Sequence, residues 1–127
     1  MTPLSQLVSS DLFSRLDEYQ LQCLAYQTRI HLEPDQVLLE RGQDNHHLYV
    51  LLSGCLRVQL APRPGIPLSI LRPGQCLGEE TLFTGGSSSM NIVADEASTL
   101  LKIPREVVLE LIRQNPAWSQ ALLETLA

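Results

Sequence analysis

The sequence has no long apolar run, no paired cysteines and no cluster of basic residues. Its longest uninterrupted apolar stretch is LYVLL at 48–52, far shorter than the roughly 20 residues that a membrane-spanning helix needs. No basic residue precedes Arg15, and a secretory leader opens with positive charge. We therefore expect no leader, no insertion into a membrane and a cytoplasmic location.

The three cysteines, Cys23, Cys55 and Cys76, are odd in number and far apart, with no C-x-x-C pair. This pattern argues against a disulfide framework or a zinc site and is typical of a chain in a reducing cytoplasm. The histidines lie before a predicted strand (His31) and in a predicted hairpin turn (His46 and His47). No H-x-x-E or similar metal-ligand spacing accompanies them, so we expect exposed histidines, no bound metal and no cofactor fixed by the sequence.

Basic residues are also scarce. The chain carries a net charge of −5, and its nine Lys and Arg residues occur singly. No basic stripe is present to neutralise a phosphate backbone, so we expect no direct nucleic-acid partner. No nucleophile, base and orienting group can be assembled from the sequence, which argues against an enzyme and leaves no catalytic residues to name.

With 127 residues, the chain has the length of a single domain, which we expect to span 1–127. Its middle shows the period-two alternation of half-buried strands. The alternating apolar sets are Leu56, Val58 and Leu60; Leu68 and Ile70; Met90, Ile92 and Ala94; and Leu101 and Ile103. Turn signals at 41–45, 53–54, 62–65, 73–74 and 85–86 punctuate these runs, which predicts a sandwich or barrel of short strands.

Helical spacing is expected at both ends. Leu12, Leu16, Tyr19 and Cys23 recur at the interval of one helical face, which predicts a helix over 10–25; its candidate caps are Ser9, Ser10 and Asp11.

The segment 104–127 predicts two further helices, the first opening at Pro104 and the second at Asn115-Pro116. The first is expected to bury Val107, Val108, Leu111 and Ile112. In the second, Trp118, Leu122 and Leu126 form a stripe that is either core or a dimer seam. No capping signal precedes Ala127, which leaves open whether the last helix is truncated.

An initial helix, about eight short strands and two helices, with Gly-Glu late among the strands, resemble the cyclic-nucleotide-binding domain family. This family includes the catabolite activator protein and the regulatory subunits of cyclic-nucleotide-dependent kinases. VLLERGQDNHHLYVLLSGCLRVQL looks like the family's first hairpins, ILRPGQCLGEETLF like its Pro-Gly stretch running into Gly-Glu, and IVADEASTLLKIPREVVLELIRQNP like its closing strands and helix. The resemblance implies a mainly β fold: a double-stranded β-helix, or jelly-roll-like β-roll, over 30–103, with flanking helices.

The resemblance also implies a binding site. In the family, Gly-Glu opens a phosphate-binding cassette whose Glu contacts the ribose 2′-OH and whose Arg pairs with the cyclic phosphate. Carried onto this sequence, the candidate ligand-binding residues are Gly78, Glu79, Glu80, Thr81, Ser88 and Ser89. Leu82 and Phe83 match the apolar anchor, and Ser88 stands at the position of the Arg.

The cassette is degenerate, because Ser88 has no charge and Glu80 adds a second carboxylate. Losing a bidentate Arg–phosphate pair removes about 3–6 kcal/mol, a factor of roughly 10² to 10⁴ in affinity. Two functions remain open. One is a regulatory module that binds a ligand, cyclic AMP or cyclic GMP held weakly or a molecule suited to a neutral Ser-rich cradle, and moves its terminal helices against an output domain or partner. The other is a vestigial pocket in a dimerisation or docking scaffold, with a homodimer pairing through the C-terminal helix.

Overall fold

The computed structural model describes residues 15–60 and 67–124. Within them the helices are α1 (Glu18–Ala25), α2 (Glu79–Thr84), α3 (Arg105–Gln114) and α4 (Pro116–Glu124). The strands are β1 (Thr28–Leu32), β2 (Val37–Leu39), β3 (His47–Ser53), β4 (Leu56–Gln59), β5 (Ser69–Leu71), β6 (Cys76–Leu77), β7 (Asn91–Ala94) and β8 (Ser98–Pro104).

The eight strands form two antiparallel four-stranded sheets. One has the order β1-β8-β3-β6 and is called the helix-facing sheet below; the other has the order β2-β7-β4-β5 and is called the outer sheet. Strands that follow each other in sequence mostly belong to different sheets, which is the winding of a double-stranded β-helix. The predicted fold class, a jelly-roll-like β-roll with flanking helices, is confirmed.

Strand β3 of the helix-facing sheet is buried on both faces, which explains why LYVLL is apolar without alternation. On one face, Leu48, Val50 and Leu52 belong to a core shared with the helices. On the other face, Tyr49 and Leu51 belong to a core shared with the outer sheet. Strand β3 is therefore the central wall between two apolar cores.

The strands of the outer sheet follow the predicted alternation only in part, because β7 is buried at all four positions, Asn91 and Val93 included. Leu56 and Val58 of β4 belong to the inter-sheet core, while Arg57 lies on the opposite face. The alternation was wrong at its ends: Leu60 and Leu68 are 48% and 59% exposed. Both lie outside the paired segments, because β4 ends at Gln59 and β5 begins at Ser69.

The predicted face of the N-terminal helix was wrong. Helix α1 begins at Glu18, after Asp17 and Gln20 form a reciprocal capping box, so Leu16 precedes the helix and cannot set its period. Tyr19 is 73% exposed and Cys23 is exposed, and the helix instead buries Gln20, Leu21 and Leu24. Leu12 and the candidate caps Ser9, Ser10 and Asp11 lie outside the described residues, as does the turn predicted at 62–65.

The C-terminal helices pack on the helix-facing sheet. Pro104 ends β8 and caps α3, so the first helical residue is Arg105 rather than Pro104 as predicted. Val108 and Leu111 are buried, and Val107 and Ile112 pack against them while partly exposed.

Helix α4 begins at Pro116 and its Trp118 and Leu122 are fully buried within the chain. These two residues are therefore core residues of the fold; Leu126 lies outside the described residues. None of the helices in the described part of the chain is long and apolar enough to cross a bilayer.

Candidate ligand-binding site

Strand β6 runs into Gly78, the residue on which the candidate site depends. Gly78 has a φ of 93° and caps the N-terminus of α2, a conformation that L side chains rarely adopt. A Cβ at this position would lie 2.5 Å from the carbonyl oxygen of His47 and 2.9 Å from Nδ2 of Asn45. Only glycine lets the chain turn here while α2 stays close to β3.

Helix α2, the loop after it and the inner face of the outer sheet line a partly open cavity of about 230 Å³. Its walls divide by chemistry. The apolar lining consists of Leu39, Val58, Leu71, Cys76, Leu77, Met90 and Ile92, and the polar lining consists of Asn45, Gly78, Glu79, Thr81, Ser88 and Ser89. An apolar wall opposite a few polar groups is typical of small-molecule sites.

Asn45 joins α2 to β3 at the edge of this cavity. Its Nδ2 donates to the carbonyl oxygen of His47 (2.8 Å) and to Oγ1 of Thr81 (2.9 Å), and its Oδ1 accepts from the amide of His47 (3.2 Å). The hydroxyl of Thr81 in turn donates to the carbonyl oxygen of Gly78 (3.0 Å). Since Asn45 and Thr81 are both buried, this chain of hydrogen bonds satisfies polar groups that water does not reach.

The Ser-rich loop, residues 85–90 between α2 and β7, is hydrogen-bonded through its backbone to the turn between β2 and β3. The amide of Ser88 donates to the carbonyl oxygen of Gln43 (2.8 Å), and the amide of Gly42 donates to the carbonyl oxygen of Ser88 (2.7 Å). The hydroxyl of Ser88 donates to the carbonyl oxygen of Met90 (2.7 Å). This loop is thus paired to a neighbouring turn at Ser88.

The described lining of the cavity includes Glu79 and no Arg, Lys or His. Two nearby arginines are used elsewhere. Arg57, on the opposite face of β4, pairs with Asp35 (2.8 Å) and Asp95 (3.3 Å). Arg105 donates from Nε to the carbonyl oxygen of Leu82 at 3.3 Å. Glu79 is therefore the acidic side chain among the described lining residues.

Five of the six residues predicted for the site line this one cavity: Gly78, Glu79, Thr81, Ser88 and Ser89. Glu80 lies in α2, and its side chain is not described. Sequence reasoning missed Asn45, whose only signal was its place in the turn RGQDN. It predicted Val58 and Ile92 as inward-facing strand residues without placing them at a ligand cavity.

The histidines differ in part from expectation. His31 lies within β1 rather than before a strand, and its ring nitrogen is 2.9 Å from the hydroxyl of Thr99. His46 is exposed, whereas His47 is the partly buried first residue of β3. Burial lowers the pKa of His47 below its ordinary 6.5; the nearby charges of Lys102 and His46 lower it further, and that of Glu106 opposes them. Among the described residues, no group of three or more His, Cys, Asp or Glu side chains is arranged to hold a metal ion.

Comparisons with known proteins agree with this architecture. The family model described as the cyclic nucleotide-binding domain matches residues 29–115. The cyclic AMP receptor protein of Thermus thermophilus is 32% identical over 113 residues, which are 87% of this chain and 52% of that protein. The chain thus spans about half the length of this curated relative.

Two solved structures are similar throughout. The sensor domain of the transcriptional regulator DNR from Pseudomonas aeruginosa has a TM-score of 0.80 at 25% identity, covering 96% of this chain and 84% of that one. The Thermus thermophilus catabolite activator protein has a TM-score of 0.80 at 31% identity, covering 92% and 56%. With a family model that matches most of its length, this chain belongs to the cyclic nucleotide-binding domain family.

Proposed function

We propose that this domain is a cytoplasmic regulatory module whose cavity binds a small molecule and whose terminal helices transmit the occupancy of that cavity. The observation that carries the proposal is the convergence of Gly78, Glu79, Thr81, Ser88 and Ser89 on one cavity with an apolar wall. In this proposal, Glu79 accepts hydrogen bonds from hydroxyl groups of the ligand, and the ring system of the ligand packs against the apolar wall. A cyclic nucleotide is held weakly, because no cation lies among the described lining residues.

The contacts of α2 support a route from the cavity to the terminal helices. Glu79 and Thr81 line the cavity, while Leu82 belongs to the core that contains Val108 and Trp118. Arg105, the first residue of α3, donates to the carbonyl oxygen of Leu82. A ligand that repositions α2 therefore changes how α3 and α4 pack, provided that it binds the two arrangements with different affinity.

The output in this proposal is a fused domain, a partner protein or a second copy of the chain. Trp118 and Leu122 are buried within the domain, so a homodimer through α4 uses a different face of that helix.

The test is to titrate the purified domain and its Ser88→Arg variant with cyclic AMP and with cyclic GMP. Calorimetry measures the affinity, and thermal unfolding measures the stabilisation. We expect weak binding to the wild type and an affinity for Ser88→Arg that is higher by about tenfold or more, because the new guanidinium pairs with the phosphate. A ligand at a hundred times its dissociation constant stabilises the fold by about 2.7 kcal/mol. Absence of binding by both proteins would contradict the proposal.

The second candidate is a scaffold with a vestigial cavity. It is favoured by the hydroxyl of Ser88, which donates to the carbonyl oxygen of Met90 within its own loop and so does not donate to a phosphate. In that case the domain acts through α4 or another surface, and no nucleotide changes its unfolding temperature.

A further inference from the structure

We propose that the cavity selects an uncharged ligand that donates hydrogen bonds, of the size and polarity of a nucleoside, over the same molecule carrying an anionic phosphate. This inference rests on the proposed function, since it takes the cavity as a ligand site. It names the chemical class that the site prefers.

The volume of the cavity sets the size of the ligand. About 230 Å³ lies just below the range of about 300–1,000 Å³ that pockets for drug-sized molecules occupy. Val58, Leu71 and Ile92 supply apolar surface on one side. A nucleoside has a base that can cover this apolar surface and a ribose whose hydroxyls can donate to the polar wall.

The hydroxyl groups of Thr81 and Ser88, which line the cavity, each donate their proton to a backbone carbonyl oxygen. Each hydroxyl has one proton to donate. That of Thr81 goes to the carbonyl oxygen of Gly78 (3.0 Å), and that of Ser88 goes to the carbonyl oxygen of Met90 (2.7 Å). Toward a ligand, these oxygens can act only as acceptors.

Asn45 is committed in the same way. A carboxamide has two N–H groups, and Nδ2 of Asn45 donates to the carbonyl oxygen of His47 and to Oγ1 of Thr81. Glu79, as a carboxylate, is an acceptor alone. The polar wall built by Asn45, Glu79, Thr81 and Ser88 thus accepts hydrogen bonds and donates none from these side chains.

A phosphate makes the opposite demand. It carries negative charge and accepts hydrogen bonds, so it needs donors or a cation. No Arg, Lys or His lies among the described lining residues, and Glu79 would repel it. Sugar hydroxyls and amino groups, in contrast, donate to a carboxylate through charge-assisted bonds.

The test compares adenosine with cyclic AMP, and guanosine with cyclic GMP, by isothermal titration calorimetry of the 127-residue chain. Each pair shares its base and ribose and differs in the cyclic phosphate. We expect the nucleoside to bind the wild type about tenfold or more tightly than the cyclic nucleotide. The neutral methyl phosphotriester of cyclic AMP isolates the charge and should bind more tightly than cyclic AMP itself.

Substitutions in the cavity wall should reverse the preference between nucleoside and cyclic nucleotide. Ser88→Arg should reverse the order, so that the cyclic nucleotide binds more tightly than the nucleoside. Ser88 is only 9% exposed, so Ser89→Arg, at an exposed position of the same wall, serves if that variant does not fold. Glu79→Gln should weaken the nucleoside and strengthen the cyclic nucleotide.

Two results would overturn the inference, and they differ in what else they overturn. If the wild type binds cyclic AMP as tightly as adenosine, or more tightly, the site is a ligand site and its preference is not the one inferred. If neither class binds the wild type or Ser88→Arg, the proposed function fails together with the inference.

Discussion

Nδ2 of Asn45 donates a hydrogen bond of 2.9 Å to Oγ1 of Thr81, 36 positions further along the chain. The bond ties the start of β3 to α2, because Asn45 also bonds to both backbone polar groups of His47. Both side chains are buried, so losing the bond would leave a polar group with little access to water. The position of the cavity's polar wall therefore depends on a contact between distant parts of the sequence.

Removing the hydroxyl of Thr81 should lower the stability of the fold, because Asn45 then loses one hydrogen-bond acceptor. Thr81→Val keeps the shape and leaves the Asn45 amide without one acceptor, which should lower the free energy of unfolding by about 1–3 kcal/mol. The control Thr81→Ser keeps the hydroxyl and removes one methyl group, at a cost of about 0.8 kcal/mol. Urea unfolding measures both, and equal losses in the two variants would contradict the role of the hydrogen bond.

Gly78 and Gly42 form a matched pair with nearly the same backbone conformation. Their φ values are 93° and 90°, but a Cβ at Gly42 meets nothing within 4 Å. Gly42→Ala should cost about 1–2 kcal/mol from backbone strain alone. Gly78→Ala should cost about 1–3 kcal/mol more, because its Cβ collides with the carbonyl oxygen of His47. Chemical denaturation compares them, and similar losses would show that the close approach of α2 to β3 is not required.

Leu82 should link α2 to the terminal helices through packing. It is 2% exposed within the core that contains Trp118, so Leu82→Ala should cost about 2–5 kcal/mol. Leu109→Ala removes the same side chain from α3, where it is 38% exposed, and should cost far less. The comparison by thermal and urea unfolding fails if the two variants lose similar free energy.

His47 should make stability depend on pH. Its pKa in the folded state lies below the ordinary 6.5, chiefly through burial. Between the two pKa values the unfolded chain binds more protons, so stability is fully present above about pH 6.5 and falls as the pH drops through the folded pKa. The unfolding temperature should therefore fall between pH 7.5 and pH 5 by more in the wild type than in His47→Gln. A His47→Gln profile parallel to that of the wild type would refute this assignment.

The fold was predictable from the sequence because the apolar pattern of a strand depends on which of its own residues are buried. Alternation at Leu56 and Val58, and an unbroken apolar run at 48–52, follow from one buried face or two. The face of α1 was predicted wrongly because it depends on where the helix begins. The helix begins at Glu18, after the Asp17 cap, so Leu16 lies outside its pattern and Tyr19 faces outward.

Most residues of the candidate cavity's polar lining were predictable from the sequence, whereas the directions of its hydrogen bonds were not. A motif beginning at Gly78-Glu79 sufficed to name five residues that line the cavity. Asn45 could not be named, because its partner Thr81 is brought to it by the fold. The direction of the hydrogen bonds at Ser88 and Thr81 also depends on backbone carbonyls that only the folded chain presents.

The chain has a single tryptophan, and the fold buries it completely in the core that Leu82 shares with the terminal helices. Indole fluorescence responds to the polarity and packing around the ring. Trp118 is thus an intrinsic fluorescent reporter in the core that joins α2, through Leu82, to α4. The arrival of a ligand, a loosening of α2 and the unfolding of each variant can all be followed from its emission, without attaching a dye.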